Sequence, residues 1–320
     1  MNRKKVKKAL STEMTILIIV MVMMVVMSVV SDTFFTAYNI MNMLKQAAIV
    51  GIIAIGMSVV LISGEIDLSV GASVGLSSMI AAMLISDQVG IHAPIPLAIA
   101  AGIASGILVG IVNGLIINAT NIPSFIATIG TMTAVRGIIK LISDARTLSS
   151  LPKSFNNFAI DSFLGISNLV WVWLIIVGVV YLFLRFTVMG RNAYVVGSSN
   201  EVAELSGINV KRVKLCIYSM SGLLCGIAGI LLLSRLQSAL PTSGQGYETN
   251  AIAAAVIGGV SFDGAKGKVY GTLIGTILLV LIENGGRHLG LNSFVLEVIN
   301  GIIIISAVTI DNFRSRKSGN

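Results

Sequence analysis

Ten apolar segments follow one another in this chain, at about 14–30, 47–62, 68–86, 94–117, 122–142, 169–186, 213–234, 250–262, 268–286 and 292–310. Most are long enough to cross a hydrocarbon core of about 30 Å as a helix. The second is a little short. The eighth is clearly short, which predicts a half-helix or a re-entrant piece. Backbone facing lipid must satisfy its hydrogen bonds within its own segment, so the spans must be helical. The period-two alternation of a membrane-spanning strand is absent. The expected fold class is an all-α polytopic membrane protein of about ten transmembrane helices, some broken or re-entrant.

Composition leaves little else open. Of 320 residues, 55% are hydrophobic and 11% charged, against roughly 25% charged in a soluble domain. Mean hydropathy is +0.93. A soluble fold of this size has no interior large enough for that much apolar surface. A disordered chain, a nucleic-acid-binding module and a typical cytosolic enzyme are excluded.

The net charge of +8 reflects topology rather than a nucleic-acid partner, because the basic residues sit at segment ends. Arg3, Lys4, Lys5, Lys7 and Lys8 precede the first apolar run. No A-x-A site follows and many spans do, so this reads as an uncleaved first helix. With a cytoplasmic N-terminus, the inner segments hold most of the 22 lysines and arginines, including Arg185, Arg191, Lys211, Arg212, Lys214, Lys266, Lys268, Arg314, Arg316 and Lys317. Lys45, Arg136, Lys140, Arg146, Lys153, Arg235 and Arg287 fall outside or near outer ends. Both termini are therefore expected in the cytoplasm, with basic tails at 1–13 and 311–320 flanking a membrane domain at 14–310. Trp171 and Trp173 open the sixth span, where an interfacial aromatic belt would sit. His92 and His288 read as solvated loop residues. Cys216 and Cys225 read as buried thiols, about 13.5 Å apart along one helix and too far for a disulfide.

Glycines recur every four residues at Gly102, Gly106, Gly110 and Gly114, and again at Gly267, Gly271 and Gly275. Gly71/Gly75 and Gly222/Gly226 add two pairs. This spacing puts them on one helix face, where missing side chains let backbones approach closely. Tight packing and sliding between states both fit such ridges.

Three places interrupt the apolar pattern. In Gly64-Glu65-Ile66-Asp67-Leu68-Ser69, two carboxylates stand between spans with almost no loop. Asp67 either caps the next helix through the amide of Ser69 or Val70, or joins Glu65 in lining a cavity or gate. The run from Gly258 to Lys268 lacks the G-x-x-x-x-G-K-[ST] pattern of a phosphate loop and reads as a sharp turn. Glycine-rich breaks thus occur in both halves of the chain, an arrangement that can mark a transport path. The inner stretch Asn200–Lys214 predicts a short amphipathic helix ending at Gly207, with Val202, Leu205 and Ile208 on one side, suited to a partner's socket or to an ordinary surface. The outer loop from Ser143 to Asn168 is polar enough to meet an external partner.

No H-E-x-x-H motif is present, and no metal-ligand cluster, so no catalytic, metal or cofactor site is assigned. Glu283 and Glu297 are single carboxylates near spans. No rich polar cluster within the spans is evident.

Four strings, in order, carry a family resemblance: GEIDLSVGA (64–72), IPSFIATIGTM (122–132), GRNAYVVGSSNEVAELSGINVKRVK (190–214) and PTSGQGYETNAIAAAVIGGVSFDGAKGKVYGTLIGT (241–276). The chain resembles the transmembrane permease subunit of bacterial ATP-driven importers for monosaccharides, the ribose type. The resemblance implies two permease copies in the inner membrane, a cytoplasmic ATPase subunit and an extracytoplasmic sugar-binding protein. Glu201-Val202-Ala203 followed by Gly207 is similar to the family's E-A-A-x-x-x-G coupling loop, with Val202 replacing the middle alanine. ATPase contact is thereby carried onto Asn200, Glu201, Ala203 and Gly207. The family often has glycine where Glu65 stands and aspartate where Asn250 stands, so Glu65, Asp67 and Asn250 are the gate or pathway candidates. The competing expectations are an ion-coupled transporter using Asp67 and Glu283, and a same-family importer of a non-sugar polar ligand.

Overall fold

A computed structural model describes residues 12–318. The N-terminal basic cluster lies outside the described residues. The helices are α1 (Thr12–Val30), α2 (Ala37–Ile62), α3 (Val70–Ile85), α4 (Ile95–Thr120), α5 (Ser124–Ile142), α6 (Lys153–Ile160), α7 (Asn168–Phe186), α8 (Val188–Ser198), α9 (Asn200–Leu205), α10 (Val210–Leu236), α11 (Tyr247–Ile257), α12 (Val269–His288) and α13 (Ser293–Ser318). A two-stranded antiparallel hairpin, β1 (Ser162–Phe163) and β2 (Ile166–Ser167), lies between α6 and α7.

Each of the ten apolar segments falls on a helix, and the protein is an all-α polytopic membrane protein. Seven helices are long and apolar enough to span by themselves: α1, α2, α4, α5, α7, α10 and α12. α3 and the stretch Ser293–Thr309 of α13 are shorter apolar helices. α11 has only 11 residues, the half-helix expected of the eighth segment. α13 runs on past residue 310 to Ser318.

Local sequence sets the helix ends. Thr36, Ser167, Thr187, Ser199 and Asn209 cap α2, α7, α8, α9 and α10, each accepting from a backbone amide of the first turn. Pro94 and Pro123 precede α4 and α5, where the missing N–H costs nothing.

α2 is the axis of the molecule, buried on nearly every side from Ala47 to Ile62. It begins ten residues before the apolar run predicted for it. Asn39, Lys45 and Gln46 hide its first turns from a hydropathy reading, yet Asn39 and Asn284 exchange hydrogen bonds of 3.0 and 2.9 Å with α12. Such paired polar groups are tolerated between packed helices. Trp173 is a core residue, not a member of an interfacial belt: its indole fills the notch left by Gly51 on α2. His288 is not a free loop residue either. Its Nδ1 lies 3.2 Å from Ser31 Oγ, and its ring meets Phe34 edge-on. The 143–168 loop is likewise structured, with Leu148, Leu151 and Phe155 buried.

The first glycine ridge joins α4 to α10. A Cβ on Gly106 would stand 2.5 Å from Gly222 O and 2.8 Å from Gly226 N. Gly110 faces the Tyr218 carbonyl, Gly114 faces Leu215, and Gly102 faces Ile230 and Ser77. The second ridge is shorter than its spacing suggests. Gly271 and Gly275 pack α12 on Gly258 at the end of α11, but Gly267 precedes the helix, in a turn with φ +152°. Cys216 and Cys225 are free thiols.

Two half-helices give the fold its middle. The segment from Ser63 to Ser69 does not stay at the end of α2. It runs alongside α10: Glu65 pairs with Lys214, the Tyr218 hydroxyl donates to Ile66 O at 3.2 Å, and Ser221 donates to Asp67 at 3.2 Å. Ser221 is eleven residues past Val210, so α3 begins about 16 Å along α10. The segment from Gln237 to Gly246 enters from the opposite end. Ala239 bridges Leu148 of the 143–168 loop, Ser243 O accepts from Arg136 at 2.6 Å, and Gly244 and Glu248 rest against Gly71. Arg136 is therefore not at a segment end: it stands twelve residues into α5, half-buried. α3 and α11 start beside one another and leave toward opposite ends. Irregular backbone at this depth is tolerated because it is enclosed by protein.

Candidate functional site

Three polar regions are built on this frame. The first lies at the end of the molecule where α9 sits. α9 is six residues long, capped by Ser199 Oγ on Val202 N at 3.3 Å. The helix stops just before Gly207, as predicted, where the chain adopts φ +79°, and Asn209 starts α10 afresh. Val202 and Leu205 are 53% and 89% exposed, while Ile208 turns back to a half-buried position. Asn200 and Glu201 are exposed beside them. Ala203 is fully buried and faces the body of the protein, so it seats α9 rather than reaching outward. A Cβ on Gly207 would meet no atom within 4 Å, so its left-handed φ alone selects glycine.

Behind α9 is a cavity of about 530 Å³, lined among others by Glu65, Asn118, Asn121, Asn200, Glu204 and Lys214. The ion pair of Glu65 with Lys214 ties the re-entrant 63–69 segment to the first turn of α10. Nearby, three glycines let backbone cross backbone. Gly264 packs on Gly64 and Gly197, Gly197 packs on Ile62, and Ala265 N donates to Ile62 O at 2.9 Å. The 258–268 run is thus the sharp turn its glycines predict. Tyr194 of α8 donates to Gly267 O at 3.0 Å, and burial raises its phenol above the ordinary value. Lys268 pairs with Glu13 at 2.9 Å, and Tyr270 followed by Glu13 holds the lysine above its usual range.

The second region is Asp67, at the start of α3. Its Oδ1 accepts from Ser69 N at 3.0 Å and from Ser69 Oγ at 2.6 Å, and Oδ2 accepts from Ser221 at 3.2 Å. Asn113 of α4 bonds Ser69 Oγ at 2.8 Å and lies 3.4 Å from Asp67 Oδ1. The capping alternative therefore describes Asp67, which is 2% exposed and absent from the cavity wall. The cavity alternative describes Glu65. The two carboxylates of one short string thus stand in different surroundings.

The third region is a polar cluster that the spans did not advertise. Glu283 of α12 accepts on Oε2 from Gln46 of α2 at 2.7 Å. On Oε1 it accepts from Asn250 of α11 at 3.3 Å and from Asn300 of α13 at 2.9 Å. Arg287, one turn on, lies 3.9 Å from Oε2. These groups border a cavity of about 540 Å³ on the side of α11 from which the 237–246 segment enters. Sequence reasoning singled out Asn250 and noted Glu283 as solitary. The partners are distant in the chain, and only the half-helix start of α11 signals that they converge.

The family described as branched-chain amino acid transport system / permease component matches residues 39–308. A ribose import permease, RbsC, of Bacillus subtilis (strain 168) is 40% identical over 279 residues, covering 87% of this chain and 85% of its own. RbsC of Escherichia coli (strain K12) is 37% identical over 278 residues, covering 86% and 85%. The D-allose transport system permease protein AlsC of Escherichia coli (strain K12) is 37% identical over 201 residues, covering 63% and 62%. No solved structure matches.

Proposed function

The chain belongs to the branched-chain amino acid transport system permease component family, together with the ribose import permeases, and on that premise we propose that it is the transmembrane permease subunit of an ATP-driven importer that passes a ribose-like monosaccharide across the bacterial inner membrane. The observation that carries the reading is the match to ribose import permeases along almost the whole chain. ATP hydrolysis belongs to a cytoplasmic ATPase subunit, and an extracytoplasmic binding protein delivers the sugar. Two permease copies enclose the path, with both termini in the cytoplasm and lipid around the pair.

The geometry supports a division of labour. At the cytoplasmic end, α9 offers Val202 and Leu205 as an apolar knob, with Asn200 and Glu201 beside it. Buried Ala203 fixes the knob to the body, and Gly207 makes the turn that presents it. Movement of the ATPases would reach α10 at once, since only Ser206–Asn209 separates α9 from it. From α10 it would pass through Lys214 to Glu65 and so to the half-helix α3. The two half-helices, starting side by side and leaving to opposite ends, give the path an element that faces each side in turn.

The test is coupled ATP hydrolysis in the reconstituted complex of permease, ATPase and sugar-loaded binding protein. Gly207→Arg leaves the permease inserted but lowers sugar-stimulated hydrolysis. Normal stimulation in that variant would remove the coupling role from α9.

A further inference from the structure

The Glu283 cluster is more than a helix contact, and we propose that it is a binding station for one neutral, hydroxyl-rich ring on its way across the membrane. The inference rests on the importer reading above and names where, within this chain, the sugar is held.

Four helices and five side chains build the station: Gln46 on α2, Asn250 on α11, Glu283 and Arg287 on α12, and Asn300 on α13. Three of these are carboxamides, and each gives an N–H to the same carboxylate. That arrangement fixes which way each amide points, since Glu283 accepts only. With the N–H committed inward, the amide oxygen is left for another donor. Asn300 Oδ1 illustrates this: it is shut off from solvent and has no hydrogen-bond partner among the described residues. A buried acceptor left without a donor costs free energy until something supplies one. Sugar hydroxyls donate and accept at once, and so match carboxamides edge to edge.

Charge selects the ligand class. Glu283 and Glu297 border the cavity with Arg287, and Arg235 is close enough to act on Tyr247 and Arg287, so the surroundings balance and favour neither an anion nor a cation. A cation would have to displace the amides that already fill both oxygens of Glu283. A neutral polyol needs no such change. The cavity, about 540 Å³, is of the size that holds small ligands. It opens where α11 begins at mid-depth, with Gly246, Tyr247 and Thr249 at its edge. The expectation that the spans hold no rich polar cluster is therefore corrected.

The test is equilibrium binding of radiolabelled D-ribose, L-arabinose and D-allose to the full-length permease in lipid nanodiscs, without the binding protein. At least one sugar binds saturably and is displaced by unlabelled sugar but not by inorganic phosphate. Asn300→Ala and the isosteric Glu283→Gln each weaken that binding by about tenfold or more. ATP-driven uptake of the same sugars by the wild-type complex in proteoliposomes is measured in parallel. Uptake without saturable binding, or binding that both variants retain, overturns the station and leaves the importer reading standing. Displacement by phosphate overturns the assignment to a neutral ligand. Absence of both uptake and binding overturns the importer reading, and the station with it.

Discussion

Replacing Gly106 by alanine should separate a packing glycine from an ordinary one. The new Cβ would lie 2.5 Å from Gly222 O, 2.8 Å from Gly226 N and 2.9 Å from Gly226 Cα. All three are backbone atoms of α10, so no side chain can swing aside. Ordinary contact begins near 3.4 Å, and α4 and α10 must part by about 1 Å to reach it. Overpacking of this kind costs about 1–3 kcal/mol. The gain in helix propensity returns about 0.5–1 kcal/mol, leaving a net loss of about 1–2 kcal/mol. Gly178 on α7 is the control, since its Cβ would meet nothing within 4 Å and Gly178→Ala keeps the propensity gain alone. The two variants should differ by about 2 kcal/mol, roughly a thirtyfold ratio in the unfolding equilibrium. Thermal or denaturant unfolding of the purified protein in one detergent measures the difference. Equal stability of the two variants would show that α4 and α10 are not held by backbone approach, and the reading of the ridge would fail.

Three further outcomes follow from named contacts. Glu65 and Lys214 are 10% and 14% exposed, so Glu65→Gln and Lys214→Met should each destabilise by about 3 kcal/mol through the charge left behind. The double variant should recover most of that loss in a double-mutant cycle, and additive losses would mean the pair is not coupled. Gly51→Ala drives a methyl into the Trp173 indole and should cost about 1–3 kcal/mol. Adding Trp173→Phe should restore part of it, and no restoration would place the strain elsewhere. Leu205→Glu, on the 89% exposed tip of α9, should leave the isolated permease as stable as wild type while weakening its co-purification with the ATPase. Loss of stability in the isolated subunit would mean that α9 packs inward instead.

Much of the architecture was legible in the sequence because lipid makes hydropathy a direct readout of span position. The short eighth segment becomes the half-helix α11, and the spacing of Gly102 to Gly114 marks the face that meets α10. Asp67 shows capping chemistry that its spacing to Ser69 already contained. What escaped was polarity shared between helices. Asn39 and Gln46 lowered the apparent hydropathy of α2 and concealed ten residues of helix, because their partners, Asn284 and Glu283, lie more than two hundred residues away. Glu283 looked solitary for the same reason. Trp173 looked interfacial because its position near a helix start is visible in sequence and the notch at Gly51 is not. By contrast, the end of α9 just before Gly207 was legible as a glycine stop, and Asn209, which starts α10, carries an N-cap signal.

The central claim is that this chain moves sugar on the energy of a partner's ATP hydrolysis. The direct measurement is ribose uptake into proteoliposomes holding the permease, its ATPase and the binding protein, with either ATP supplied or an ion gradient imposed. Uptake is expected with ATP in the absence of any gradient, and none with a proton or sodium gradient alone. Gradient-driven accumulation without ATP would contradict it and would recast Asp67 and Glu283 as ion-coupling carboxylates.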